Sequence, residues 1–97
     1  MRIIALSTLR EFWVRHPEME HYLRTWYRDV KKAQWKSPND IRRVYATASI
    51  VGRNRVVFNI RGNSHRLIVA VNYLTGIVYI RFIGTHREYD KVDASVV

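Results

Sequence analysis

The residues best equipped for chemistry lie between Arg81 and Lys91. There an apolar strand pattern, Arg81-Phe82-Ile83, runs into Gly84 and then into Thr85-His86-Arg87-Glu88-Tyr89-Asp90-Lys91. A histidine, a tyrosine and flanking cations crowded into one turn are groups that move protons and hold phosphate oxygens. Upstream, the stretch from Ile41 to Arg87 contains no Asp or Glu but carries Arg42, Arg43, Arg53, Arg55, Arg61, Arg66, Arg81 and Arg87. A half-chain with only cationic charge predicts a surface built for polyanions.

The residue types narrow the reaction. No paired carboxylates stand outside the helical segments, no Gly-rich phosphate loop is present, and the chain has no cysteine. His16, His21, His65 and His86 are scattered, with no HExxH motif, so neither a metal site nor a cofactor is expected. Cleavage of RNA without a metal uses the substrate's own 2′-OH as nucleophile. It needs a group to deprotonate that hydroxyl, cations to stabilise the pentacoordinate phosphorane, and an acid for the 5′-oxygen. His86 and Tyr89 are the candidates for proton transfer, and Arg66 and Arg81 for holding the phosphorane.

Two-residue alternation puts Tyr79 and Arg81 on one face of the last strand, and Arg55, Asn59 and Arg61 on one face of an earlier one. Arg66 opens the strand between them, so these groups are expected to converge on the sheet face left open by the helices. Arg53, Asn63, Arg87 and Lys91 complete the expected RNA contacts. The bland alternative is that the arginines solvate an antiparallel face. A lone histidine after a strand is also more often structural than catalytic.

The elements that position these groups are readable from periodicity and turn chemistry. Arg2-Ile3-Ile4-Ala5 opens as a short strand. Thr8-Leu9-Arg10-Glu11 has capping-box spacing, and Leu6, Leu9, Phe12 and Trp13 recur at helical intervals as far as His16-Pro17. A second helix starts at Pro17-Glu18-Met19-Glu20 and buries Met19, Leu23, Trp26, Tyr27 and Val30, with Lys31 and Lys32 near its end. Ser37-Pro38-Asn39-Asp40 marks a short helix through Arg43. Beyond Ala48 the pattern is strand and turn: Ser49 to Val51, Arg55 to Ile60, His65 to Asn72 and Ile77 to Ile83, broken at Gly52, Gly62 and Gly76. The third of these is apolar on both faces and is expected to be central. The expectation is an α+β domain spanning residues 1–97, an antiparallel sheet with N-terminal helices packed on one face.

Of the net charge of +9, the first forty residues hold +3 and the remainder +6, so the asymmetry follows the sheet half. The opening Met1-Arg2-Ile3-Ile4-Ala5-Leu6-Ser7 is too short in apolar length for a signal peptide, and no run approaches a membrane span. A cytoplasmic protein without membrane contact is expected.

Gly84 to Lys91, together with Val57-Phe58-Asn59-Ile60-Arg61-Gly62-Asn63 followed by Arg66-Leu67-Ile68-Val69, resembles the HigB toxins of bacterial type II toxin–antitoxin systems. The similarity runs from Arg2 to Ala94 and includes Trp26-Tyr27 and Lys31-Lys32. It implies a RelE-like α+β fold and an mRNA interferase, an endoribonuclease acting on messages, typically on the translating ribosome. It also implies a cognate antitoxin, expected to be DNA-binding, that neutralises the toxin. Arg66, His86 and Tyr89 sit in the matched motifs, as do Asn59, Asn63 and Asp90. RelE-like toxins vary in which Arg, Lys, His or Tyr does the acid–base work, so the roles of His86 and Tyr89 stay open. Arg61 carries over least, because lysine or glycine takes that place in similar sequences. The competing reading is a non-catalytic RNA-binding or translation-associated module, with Trp35 or Tyr73 stacking on bases. A third is an interaction protein whose cationic face receives an acidic partner.

Overall fold

A helical period in the first half of the chain and a two-residue period in the second sort it into a helical layer and a sheet. The computed structural model describes all residues, Met1–Val97. In chain order they form β1 (Arg2–Ile4), α1 (Leu6–Arg15), a 3-10 turn (Pro17–Met19), α2 (Glu20–Lys32) and α3 (Pro38–Val44). Then come β2 (Ser49–Val51), β3 (Arg55–Ile60), β4 (His65–Asn72), β5 (Ile77–Thr85) and α4 (His86–Tyr89).

Helix α1 begins earlier than its capping-box spacing predicts. Ala5, in extended conformation, occupies the N-cap without any side-chain bond, and the Thr8 N–H reaches the Ala5 carbonyl at 3.2 Å. Leu6 packs against the core, so tertiary burial sets the start and the Thr8–Glu11 pair is not used as a cap. Helix α2 buries Leu23, Trp26 and Val30 and places Glu20 in its first turn and Lys31 and Lys32 in its last, matching the helix dipole. The backbone nitrogen of Met1 donates to the carbonyls of Val30, Lys31 and Ala33 at 3.2, 3.2 and 2.6 Å, which satisfies the open end of α2 and ties β1 to it.

The five strands lie in the order β1-β5-β4-β3-β2. From β2 to β5 they form the expected antiparallel meander. Strand β1 joins parallel to β5, Arg2 opposite Ile77 and Ile4 opposite Tyr79, so the complete sheet is mixed. Parallel pairing requires a long connection, and the three helices between β1 and β2 supply it. Central β4 is buried on both faces from Leu67 to Val71.

One face carries Val56, Phe58, Ile60, Leu67, Val69, Val71 and Val78 against Leu9, Phe12, Trp13, Leu23 and Trp26 of the helices. The sequence leaves the other face open, but the structure covers part of it. Val57 and Ile68 pack there with Ala94, and Val51, Phe82, Tyr89, Val92 and Val97 surround them. Alternation explains the split: the even residues of β3 and the odd residues of β4 face the helices, and their neighbours face the C-terminal segment.

Candidate active site

Part of the polar set of the uncovered face stands at the end of the sheet where β4 starts and β5 stops. Helix α4 is fixed there by a capping box. The Glu88 N–H donates to Thr85 Oγ1 at 3.1 Å, and the Thr85 N–H donates to Glu88 Oε1 at 2.8 Å. The Thr85 backbone bond holds the Glu88 carboxyl below the usual range. The signal is present in sequence, a Thr three residues before a Glu, and the turn expected after the last strand is instead this short helix.

Arg66 and Tyr89 are brought together, and His86 stands on the same short helix as Tyr89. Arg66 donates through Nη1 to the Asn63 carbonyl at 3.1 Å and the His65 carbonyl at 3.2 Å, and through Nη2 to Asn63 Oδ1 at 2.8 Å. A guanidinium has five N–H groups, so Nε–H and one Nη2–H are left for a ligand. The same guanidinium carbon lies 5.8 Å from the centre of the Tyr89 ring. His86 Nδ1 is 3.3 Å from Asp90 Oδ2, one helical turn on, with both side chains about half exposed at 48% and 61%. An anchored guanidinium is a group that holds a phosphate, and a phenol and an imidazole beside a carboxylate are groups that exchange protons.

Two features of the supporting shell escape the sequence reading. Gly84 pairs with Arg66 and leaves no room for a side chain: a Cβ there falls 2.7 Å from Phe82 Cζ and 3.0 Å from Glu88 Oε1. His65, one residue before Arg66, points to the helix side, where its ring meets Phe12 edge-on at 5.8 Å. Its Nδ1 lies 2.7 Å from Ser64 Oγ. Ser64 Oγ also lies within hydrogen-bond distance of the Arg61 carbonyl, at 3.1 Å, so it links the His65 ring to the turn before β4. Burial pushes the His65 pKa down, and neighbouring His16 adds to the effect. The Ser64 carbonyl in turn accepts the His86 N–H at 3.0 Å, so this turn fastens α4 to the start of β4.

The remaining sequence candidates are distributed. Arg81 is the extra residue of a bulge opposite Ile68 and Val69, and its guanidinium stands 5.5 Å from the Tyr79 ring. Strict alternation fails at that point. The Arg55–Ala70–Tyr79 row is separated from the Asn59–Arg66–Gly84 row by apolar Val57, Ile68 and Phe82. Four residues of β4 separate Ala70 from Arg66, about 13 Å. Arg55 is held by the tail, donating to the Val97 carbonyl at 3.0 Å and to Asn54 Oδ1 at 2.7 Å. Arg53 lies exposed in the β2–β3 turn, and Arg87 and Lys91 are exposed on and just after α4. Asn59 and Arg61 line a small pocket of about 160 Å³ with Trp26 and Tyr45. Arg61 has φ of +53°, a left-handed conformation in which glycine is unstrained.

The sequence profile of the HigB toxins, described as the RelE-like toxic component of a toxin–antitoxin system, matches residues 19–92. The chain belongs to the HigB toxin family. It is similar to the mRNA interferase HigB of Escherichia coli O6:H1, with 27% identity over 94 residues, 95% of this chain and 91% of the relative. The mRNA interferase toxin HigB of Escherichia coli K12 and the mRNA interferase HigB of Shigella flexneri are each 26% identical over 92 residues, 93% of this chain and 88% of theirs. Every residue of the α4 cluster lies inside the HigB match, whereas Arg2 and the last turn of the tail lie outside it. The mixed sheet with its helical layer is the α+β, RelE-like architecture that membership in the HigB family implies. No helix is long and apolar enough to cross a membrane.

Proposed function

We propose that this toxin is an mRNA interferase, an endoribonuclease that cleaves messages by attack of the RNA's own 2′-OH. The observation that carries the proposal is the anchored Arg66 guanidinium facing Tyr89, with His86 braced by Asp90 on the same short helix. The named activity of the HigB relatives supports it. In the proposed reaction the 2′-oxygen attacks phosphorus while a base takes its proton. Arg66 stabilises the phosphorane oxygens through its free N–H groups, and the 5′-oxygen departs with a proton from an acid. His86 and Tyr89 share the two proton transfers. Asp90 engages Nδ1 of His86, which leaves Nε2 as the nitrogen that meets RNA. The products are a 2′,3′-cyclic phosphate and a 5′-hydroxyl.

Arg81 belongs to the RNA path rather than to the reacting phosphate, because it leans on Tyr79 beyond the apolar row. Arg53, Arg55, Asn59, Arg61, Asn63, Tyr79, Arg87 and Lys91 supply the rest of the path, with Asn63 acting by fixing Arg66. The toxin works as one domain over residues 1–97, in the cytoplasm, on messages held by the translating ribosome. A cognate DNA-binding antitoxin neutralises it. Mapping RNA ends on a reporter message in a translating extract tests the reading: protein-dependent 5′-hydroxyl ends are expected. Cleavage leaving 5′-phosphate and 3′-hydroxyl ends, or no cleavage by folded protein, contradicts it.

A further inference from the structure

The largest concavity lies at the opposite end of the sheet from α4. It is a cleft of about 660 Å³ bounded by the start of β1, the loop after α2 and the β4–β5 turn. Arg2, Lys31 and Lys36 line it, and no Asp or Glu does. None of the three cations takes part in an ion pair, since the four pairs in the molecule involve other residues. Three unpaired cations around one cleft repel each other and raise the local anion concentration. The apolar part of the lining is unusual as well. Trp35, 4% exposed, forms a buried wall, Tyr73 is half-buried beside it, and Leu74 on the rim is 96% exposed.

The cleft lies on the helix side of this end of the sheet, where Trp35 and Tyr73 pack with the helix-facing core, and Arg2 on edge strand β1 stands between it and the uncovered face. Ile3 packs under the helices, so Arg2 and Ile4 turn to the opposite face, beside Ile77 and Tyr79 with which they pair. Tyr79 carries the Arg81 guanidinium, and beyond the bulge β5 reaches Gly84, the partner of Arg66. A strand running from Arg66 past Arg81 follows β5, whose residues include no acid, and reaches Lys31 and Lys36 only by passing over the β1 edge at Arg2.

We infer that this cleft is a second RNA-binding site, holding phosphates of the same single strand that reacts at α4, with Tyr73 available to a base. The inference rests on the reading of α4 as the cleavage site. Six residue steps separate Arg66 from Asn72, about 20 Å of strand. A stacked nucleic-acid strand advances ~3.4 Å per nucleotide, so spanning the two sites takes no fewer than about six nucleotides. A trinucleotide engages one site only, and a dodecamer engages both.

The test uses the full chain and unstructured 2′-O-methyl RNA, which lacks the nucleophile and is not cleaved during binding. Lys31 and Lys36 are exposed, so the double variant Lys31→Gln/Lys36→Gln should keep its fold, checked by thermal melting. Its affinity for the dodecamer should fall about tenfold, and the slope of log K against log salt should shrink by about 1.4, or ~0.7 for each phosphate no longer neutralised. Trinucleotide binding should stay within about twofold under this two-site geometry. An unchanged dodecamer slope, or equal weakening at both lengths, overturns the inference. So does loss of ribosome co-sedimentation with unchanged dodecamer binding, because the cleft then serves structured RNA. Cleavage by His86→Gln, measured separately, reports on α4 alone, so failure of the cleft and failure of the catalytic reading are told apart.

Discussion

The two faces of the sheet are packed to different standards. On the helix side Phe58, 1% exposed, sits among three aromatic rings, with Trp26, Trp35 and Tyr45 centred 5.5, 6.1 and 5.1 Å away. On the other side the buried cluster is Val57, Ile68 and Ala94, roofed by α4 and the C-terminal segment. Large rings interlocked with three helices hold the fold together, while a thin cover over small side chains leaves room for polar groups to emerge around its margin. The main core and the candidate site therefore lie on opposite sides of the same strands, and substitutions on adjacent residues should have different consequences.

The sharpest contrast is in stability. Phe58→Ala should cost ~3–5 kcal/mol, enough to unfold much of a domain of this size, whereas Ile68→Val on the other face should cost only ~0.5–1.5 kcal/mol. Chemical denaturation of both variants checks this, and equal losses would dissolve the distinction between the faces. Gly84→Ala should fall between them. Its methyl meets Phe82 and Glu88, so relief requires Glu88 to leave the Thr85 cap or Phe82 to shift. A loss of ~1–3 kcal/mol is expected, and displacement of α4 should cut cleavage more than RNA affinity. Denaturation and cleavage kinetics on the same preparation measure the two effects together.

The smallest effect is a pH dependence confined to the seam between the faces. Burial lowers the His65 pKa in the folded chain, so the neutral form is favoured there. The associated stability is whole above the unfolded value of ~6.5 and declines as pH falls below it. His65→Gln keeps a polar partner for Ser64 but cannot titrate. Between pH 7.5 and 5, wild type should lose more in melting temperature than the variant. Parallel curves would show that His65 is not the titrating group.

Much of the fold is legible because the signals are local. Gly52, Gly62 and Gly76 all take positive φ at turns between strands, and the apolar run in β4 marks the central strand correctly. What is not legible depends on contacts distant in sequence. Three residues of β1 carry too little pattern to show parallel pairing with β5. The tail over Val57 and Ile68 has no periodicity, so the covering of that face cannot be foreseen. The capping box shows the same limit from both sides: the Thr8–Glu11 spacing goes unused because burial of Leu6 sets the helix start, while Thr85–Glu88 is a working cap. Within the candidate site, the expected proximity of Arg66 and Tyr89 is seen, and His86 follows the last strand on the same helix as Tyr89. Arg81 lies against Tyr79, the neighbour that alternation gives it, although a bulge interrupts the strand there. His65 is hidden by its orientation, since a single residue of register separates it from Arg66.

The most direct test of the central claim is the single-turnover cleavage rate of His86→Gln and Tyr89→Phe on one reporter RNA, with melting temperature and RNA affinity measured alongside. A positioned acid or base contributes ~100- to 10,000-fold, so each variant should lose at least that lower factor in rate while folding and binding as wild type does. If both fold, bind and cleave within about threefold of wild type, far below that range, α4 is a structural brace and the chemistry lies elsewhere.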